Sequence, residues 1–167
     1  YHYGPQIGYY RMMQFLAQLG GGIGAVPLVM SGSAAIAGAV IPAATLLVFK
    51  NELPDRIRLI AAAIVACSPV LWMSSQYGNS AVISTAFVVV GLVLLSNRPG
   101  ARGVAGALAL CAVGVLVRAD AVLVAPIVVL LVFRAADHTK RALTWLAIGA
   151  AAFVVFWVTL RFVDPYM

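Results

Sequence analysis

The apolar residues of this sequence fall into long runs that are separated by short charged loops. An amphipathic helix or strand would instead alternate apolar and polar residues with its own period. Runs of about 20 apolar residues match the hydrocarbon thickness of a bilayer. Only 10% of the residues are charged, against roughly a quarter in a soluble domain. The pattern therefore predicts an all-α, polytopic transmembrane helix bundle.

About six membrane spans are predicted, together with an N-terminal interfacial helix. Segment 1–24 is the least apolar part and reads as an extracytoplasmic loop with a helix at 6–19, which ends at the glycines of 20–24. Pro42 and the Ser68-Pro69 pair predict bends inside the first and second spans. The predicted spans are 25–49, 57–76, 80–96, two arms within 103–133, and 142–160.

Residues 103–133 form one apolar run of 31 residues that is interrupted only by Arg118 and Asp120. A single helix of this length would measure about 46 Å, well over a hydrocarbon core of ~30 Å. It would also hold two charges near its middle, where each costs at least ~2.5 kcal/mol. A hairpin that turns at 118–120 has arms of only about 22 Å, which a larger bundle or a thinner bilayer accommodates.

The loop charges favour the hairpin. It places loops 50–58, 97–102 and 134–141 on one side, with eight of the eleven basic residues. A single long span would divide those eight between the two sides. The hairpin topology puts segment 1–24, the turns at 77–79 and 118–120, and the end 161–167 outside the cytoplasm. We expect 1–167 to be one transmembrane domain of a larger protein that continues beyond both ends.

Several function classes do not fit the sequence. The net charge of +6 comes mainly from basic residues in the short loops between apolar runs, where they set membrane topology. These residues are not clustered in the way that nucleic-acid binding needs. Cys67 and Cys111 lie within apolar runs and read as small packing residues, so neither a disulfide nor a metal site is predicted. Walker-type, zincin and serine-hydrolase motifs are absent from the sequence.

Arg118 and Asp120 form the most informative pair, because charges flanked by apolar runs indicate a functional site by default. The planar donor fork of arginine suits a phosphate, so a lipid-linked phosphate at the membrane boundary is a candidate ligand. The simpler alternative is an interfacial turn in which the two side chains pair with each other.

Two further polar clusters are candidates for substrate binding. The first lies at the outer end of the second span and could hydrogen-bond sugar hydroxyls, or could be ordinary interfacial turn chemistry. It comprises Ser74, Ser75, Gln76, Tyr77, Asn79 and Ser80. The second precedes the first span and could line a substrate cavity, or form an interfacial aromatic belt. It comprises His2, Tyr3, Gln6, Tyr9, Tyr10 and Arg11.

The ordered set of motifs resembles the polytopic GT-C glycosyltransferases, which include the protein mannosyltransferase, aminoarabinose transferase and RgtA-like groups. Gly4-Pro-Gln-Ile-Gly-Tyr-Tyr10 and Phe15-Leu-Ala-Gln-Leu-Gly20 resemble the first motif of that group. Cys67-Ser-Pro-Val-Leu-Trp-Met-Ser-Ser-Gln-Tyr-Gly78 is similar to the second motif. Gly106 through Asp120, which ends in Val115-Leu-Val-Arg-Ala-Asp120, is similar to the third. The resemblance covers about residues 4–133.

The resemblance implies transfer of a sugar from a polyprenyl-phosphate donor to an extracytoplasmic glycan, lipid or protein acceptor. Arg118 then meets the donor phosphate, and the acidic catalytic motif lies upstream of Tyr1. Such an enzyme is expected in the cytoplasmic (inner) membrane of a bacterium. The alternatives are a transporter or flippase, for which Pro42, Pro69 and Pro126 offer helix breaks, and a non-catalytic scaffold.

Overall fold

A computed structural model of the chain describes residues 7–48, 50–76, 78–98, 100–136 and 139–163. The prediction of an all-α fold is confirmed, since these ranges contain helices and no strand. Short 3-10 segments occur at Ile23–Ala25 and Ala119–Val124. The helices are α1 (Ile7–Leu19), α2 (Val26–Leu47), α3 (Asp55–Ala66), α4 (Pro69–Gln76), α5 (Ser80–Asn97), α6 (Ala101–Val117), α7 (Ala125–Ala135) and α8 (Thr139–Val163).

The number of helices that can cross a bilayer is smaller than predicted. Within the described ranges, α2 and α5 are long and apolar enough to span, and α3 with α4 adds a third if that bent pair counts as one. The expected six spans are therefore not supported. In the predicted hairpin, α6 has 17 residues and α7 only 11, because six residues after Arg118 form a 3-10 segment instead.

The interruption at residues 118–124 has a local cause. Arg118 has an extended backbone with φ −156° and ψ 117°, which ends α6. Its N–H still donates to the Gly114 carbonyl oxygen at 2.9 Å. The tighter 3-10 segment follows, and Pro126 then lies in the first turn of α7, where its missing N–H leaves no helical hydrogen bond unmade. The chain thus turns at the charged pair, as predicted.

Contacts between distant loops show which helix ends lie together. The guanidinium of Arg134, at the end of α7, lies 2.8 Å from the carboxylate of Glu52, which follows α2. The Asn97 amide, at the end of α5, donates to the Leu47 carbonyl oxygen at 2.6 Å. The loops after α2, α5 and α7 therefore share one end of the bundle, which we call the basic end. This is the arrangement that the hairpin requires.

At the opposite end, α1 is attached to the turn between α4 and α5. The Tyr9 hydroxyl donates to the Gly78 carbonyl oxygen, and Tyr9 is 2% exposed. Gly78 has φ +64°, which favours glycine, and a Cβ there would lie 3.1 Å from the Cβ of Met30 on α2. Val117 of α6 belongs to the same buried cluster as Tyr9, so the end of α6 also lies here.

Helix α5 lies at the centre of the core, and its most extensive contact is with α6. At Gly114 an added Cβ would lie 3.2 Å from the Ser84 carbonyl oxygen, so glycine permits the two helices to approach closely. Many large apolar side chains point outward instead, as in proteins that face lipid. They include Leu28, Ile36, Ile64, Val70, Trp72, Leu130, Ile148 and Val155.

The two predicted bends have different outcomes. Helix α2 runs through Pro42 without a break. The second predicted span is broken at Cys67 and Ser68, where α3 and α4 meet at 52°. The indole nitrogen of Trp72 donates to the Ala66 carbonyl oxygen at 2.6 Å. This bond satisfies a carbonyl that the break leaves without a helical partner.

Candidate functional site

Arg118 and Asp120 form an ion pair where α6 ends. The Nε atom of Arg118 donates to the Oδ2 atom of Asp120 at 2.7 Å, and the two side chains are 33% and 53% exposed. This is the pairing that the simpler alternative anticipated. It occupies one nitrogen of the guanidinium, and among the described residues neither terminal nitrogen has a hydrogen-bond partner. Arg118 therefore keeps two terminal nitrogens, with four N–H donors, for a ligand.

A cavity of about 210 Å³ opens beside this ion pair. Its walls come from the first three turns of α5, from the charged pair, and from the 3-10 segment. The lining residues are Ala81, Ser84, Thr85, Val88, Arg118, Asp120, Ala121 and Val124. A cation, a carboxylate and two hydroxyl side chains thus face one space in an otherwise apolar bundle.

Asn79 caps the end of α5 that lies beside this cavity. Its side-chain oxygen accepts a hydrogen bond from the backbone N–H of Ala81 at 2.9 Å, and Ala81 lines the cavity. Asn79 is therefore the N-cap of α5, which agrees with ordinary turn chemistry. The positive end of the α5 dipole adds to the charge of Arg118, and both favour an anion.

Ser84 and Thr85 line the cavity, although the sequence pattern did not single them out. The Ser84 hydroxyl is buried and donates to the Gly114 carbonyl oxygen at 2.8 Å, so its role is to join α5 and α6. Thr85 is exposed and lines the cavity wall. Their position one turn beyond Asn79, on an otherwise apolar helix, is the sequence signal that could have identified them.

The other predicted site residues are distributed differently. His2, Tyr3, Gln6 and Tyr77 lie outside the described residues. Ser75 is half-buried and donates to the Leu71 carbonyl oxygen within α4 at 2.6 Å. Within the described ranges, His, Cys, Asp and Glu side chains do not form groups of three that could hold a metal ion.

Tyr9 is buried and contributes to the fold rather than to an open binding site. Burial, with a smaller effect of the neighbouring Tyr10, raises the pKa of its phenol above the usual value of 10.0. The Tyr9 side chain therefore stays protonated at neutral pH and can donate to the Gly78 carbonyl oxygen. Tyr10 packs edge-on against it, with ring centroids 5.5 Å apart.

No family model, curated protein or solved structure matches this sequence. The class that the fold defines is an α-helical bundle with helices able to cross a membrane. The Arg118 cavity is the feature of this bundle from which a function can be inferred.

Proposed function

We propose that this chain is the membrane part of a multi-pass glycosyltransferase of a bacterial cytoplasmic membrane. It would transfer a sugar from a polyprenyl-phosphate donor to an extracytoplasmic glycan, lipid or protein. The observation that carries the proposal is the guanidinium of Arg118, which lines the cavity and is held by Asp120 through Nε. Its two terminal nitrogens remain available to a phosphate.

The chemistry of the proposed reaction requires such a group. The acceptor hydroxyl attacks the anomeric carbon of the sugar, and the bond between that carbon and the phosphate oxygen breaks. The electron pair of the broken bond remains on the phosphate, and the acceptor proton passes to a carboxylate base. Arg118 and the α5 N-terminus would stabilise the charge that develops on the leaving phosphate.

The proposed orientation of the bundle in the membrane follows from the Lys and Arg residues of the loops at the basic end. Loops rich in Lys and Arg are retained in the cytoplasm, so the Arg118 cavity at the opposite end would face outward. Helix α6, of 17 residues, is about 26 Å long at 1.5 Å per residue. The 3-10 segment with α7 gives a return arm of about 28 Å. We propose that these two arms, with α8, complete the six crossings.

Substitution of Arg118 tests the proposal. Arg118→Ala in the full-length protein should lower kcat/KM for the lipid-linked donor by about 10- to 100-fold. This is the effect expected from losing at least one charge-assisted hydrogen bond in the transition state. Arg118→Lys keeps the charge but loses the planar fork, so an intermediate loss is expected. The matched control is Arg102→Ala, because Arg102 is exposed near the basic end of the same helix.

The measurement is sugar transfer from a synthetic polyprenyl-phosphate donor by purified protein in detergent. The proposal is wrong if Arg118→Ala turns over the donor as the wild type does, or if Arg102→Ala loses as much activity. Thermal unfolding of each variant separates a loss of function from a loss of fold.

A transporter is the second candidate, and the break between α3 and α4 favours it. Transport sites are often built where a membrane helix is interrupted, and this pair bends by 52° at Cys67 and Ser68. Flux of a lipid-linked sugar across reconstituted liposomes without transfer would favour this function. Transfer without flux would favour the glycosyltransferase.

A further inference from the structure

The loops at the basic end carry most of the net charge of the chain. Loops 50–58, 97–102 and 134–141 hold eight basic and three acidic residues, and thus five of the six net positive charges. The contacts of Asn97 with Leu47 and of Arg134 with Glu52 place these loops side by side. Like charges that the fold brings together repel one another unless anions lie among them.

The acidic residues described at this end already have cationic partners. The carboxylate of Glu52 lies 2.8 Å from the guanidinium of Arg134. Asp55 pairs with Arg58, three residues further along α3. Asp137, the third acidic residue of these loops, lies outside the described residues. The two described carboxylates are therefore used to neutralise two of the basic side chains.

Four exposed basic side chains from the three loops make neither a hydrogen bond nor an ion pair with the rest of the described chain. They are Lys50, Arg56, Arg98 and Lys140, and we call them the four cations. A Lys or Arg near a bilayer surface favours anionic over neutral headgroups by roughly fivefold. The four cations together therefore present a strong attraction for anions.

Exposed apolar side chains border the four cations. Leu47 precedes Lys50 at the end of α2 and is 46% exposed, and Ile57 follows Arg56 and is 51% exposed. Helix α2 is also long and apolar enough to cross a bilayer. The matching partner therefore joins an anionic group to an apolar body, as a phospholipid does. A nucleic acid or an acidic soluble protein supplies only the charge.

We infer that the basic end is a binding surface for anionic phospholipids, whose headgroup phosphates lie among the four cations. The headgroups supply the negative charge that the loops lack, and they hold the three loops together. The rule of positive loops concerns how a chain inserts into the membrane, whereas this inference concerns which lipids the folded protein retains. It goes beyond the proposed function and does not depend on it, because the Arg118 cavity lies at the opposite end.

The test measures how much phosphatidylglycerol and phosphatidylcholine stay bound to the purified protein from an equimolar mixture in detergent. The two lipids carry the same acyl chains, so their ratio reports the headgroup. Lys50→Gln/Arg98→Gln removes two of the four cations from loops that the bond between Asn97 and Leu47 joins. The matched control is Glu52→Gln/Arg134→Gln, which removes an ion pair at the same end and leaves the net charge unchanged.

The wild type should retain phosphatidylglycerol over phosphatidylcholine by about tenfold or more at low salt. High salt should bring this ratio towards one, because it screens exposed charges. Lys50→Gln/Arg98→Gln should lower the ratio by about fivefold or more, and the control should stay within about twofold of the wild type. Equal retention of the two lipids by the wild type, or equal losses in the two variants, would overturn the inference.

Competition separates a phospholipid from other anions. Inorganic phosphate, glycerol 3-phosphate and a short RNA should leave phosphatidylglycerol bound when the ionic strength is held constant. Displacement by either small phosphate would assign the surface to a free anion, and displacement by the RNA would assign it to a nucleic acid. Either result would refute the assignment to lipid.

Thermal unfolding in nanodiscs tests whether the bound lipids hold the loops together. Phosphatidylglycerol should raise the midpoint of the wild type and of the control, because a ligand of the folded state stabilises it. The rise should be smaller for Lys50→Gln/Arg98→Gln, and an equal rise would contradict this role. Arg118→Ala should keep the lipid ratio of the wild type while it loses sugar transfer. Failure of the proposed function would thus leave the lipid ratio unchanged, and failure of this inference would leave transfer unchanged.

Discussion

The carboxylate of Glu52 lies 2.8 Å from the Nη2 atom of Arg134, although Glu52 follows α2 and Arg134 ends α7. Both side chains are more than a third exposed. The ion pair therefore contributes at most about 1 kcal/mol to stability. The ion pair is informative because it shows that the end of α7 lies beside the loop that follows α2. The chain must reverse near Arg118 for this contact to form.

That reversal can be tested by cysteine labelling in membrane vesicles. In a protein with Cys67→Ala and Cys111→Ala, we expect Glu52→Cys and Arg134→Cys to react with an impermeant maleimide from the same side. Asp120→Cys should react only from the other side. Labelling of positions 120 and 134 from one side would show that the α6–α7 hairpin does not cross the membrane.

The hydrogen bond from Tyr9 to Gly78 should contribute measurably to stability. Tyr9→Phe keeps the buried ring but leaves the Gly78 carbonyl oxygen without its donor, so the free energy of unfolding should fall by about 1–2 kcal/mol. Phe15→Leu is the control, because Phe15 lies on the same helix and is 60% exposed. Equal effects of the two substitutions, measured by unfolding in detergent, would contradict a specific role of the hydroxyl.

The raised pKa of Tyr9 predicts a pH dependence of stability. The folded protein favours the neutral phenol, so the stabilising contribution is complete below the unfolded pKa of about 10. It is lost as pH rises from about 10 through the higher pKa of the folded state. The difference in stability between wild type and Tyr9→Phe should therefore shrink between pH 9 and 11. A difference that is constant or grows would show that the phenol ionises readily in the fold.

Gly78→Ala should be destabilising by about 1–2 kcal/mol, the usual cost of a side chain in a left-handed conformation. The contact of 3.1 Å with Met30 adds to this cost. Gly32→Ala is the matched control, since Gly32 is inside α2 with nothing within 4 Å of an added Cβ. That change should stabilise by about 0.5–1 kcal/mol. Equal effects in thermal unfolding would refute the proposed strain at Gly78.

Several local features could be predicted because their causes are local. The sequence predicts a helix at 6–19, and the described part of the chain has α1 at Ile7–Leu19. The helix ends at Leu19 because glycines follow it. Gly21 and Gly22 indeed have positive φ. The bend at Ser68 and Pro69 and the turn at Arg118 follow from proline geometry and from the cost of charge among apolar residues. The count of six spans is not confirmed, because the apolarity of a segment does not give the length of its helix: α6 has 17 residues and α7 only 11.

The sequence alone determined the helical class, the apolar outer surface and the position of the charged turn, because these depend on composition and on neighbours along the chain. Only the tertiary structure decided which residues lie beside that turn. Packing of α5 against α6 at Gly114 places Ala81 and Thr85 beside Arg118. Contacts between residues that are distant in sequence depend on side-chain shape at helix crossings, which hydropathy does not encode.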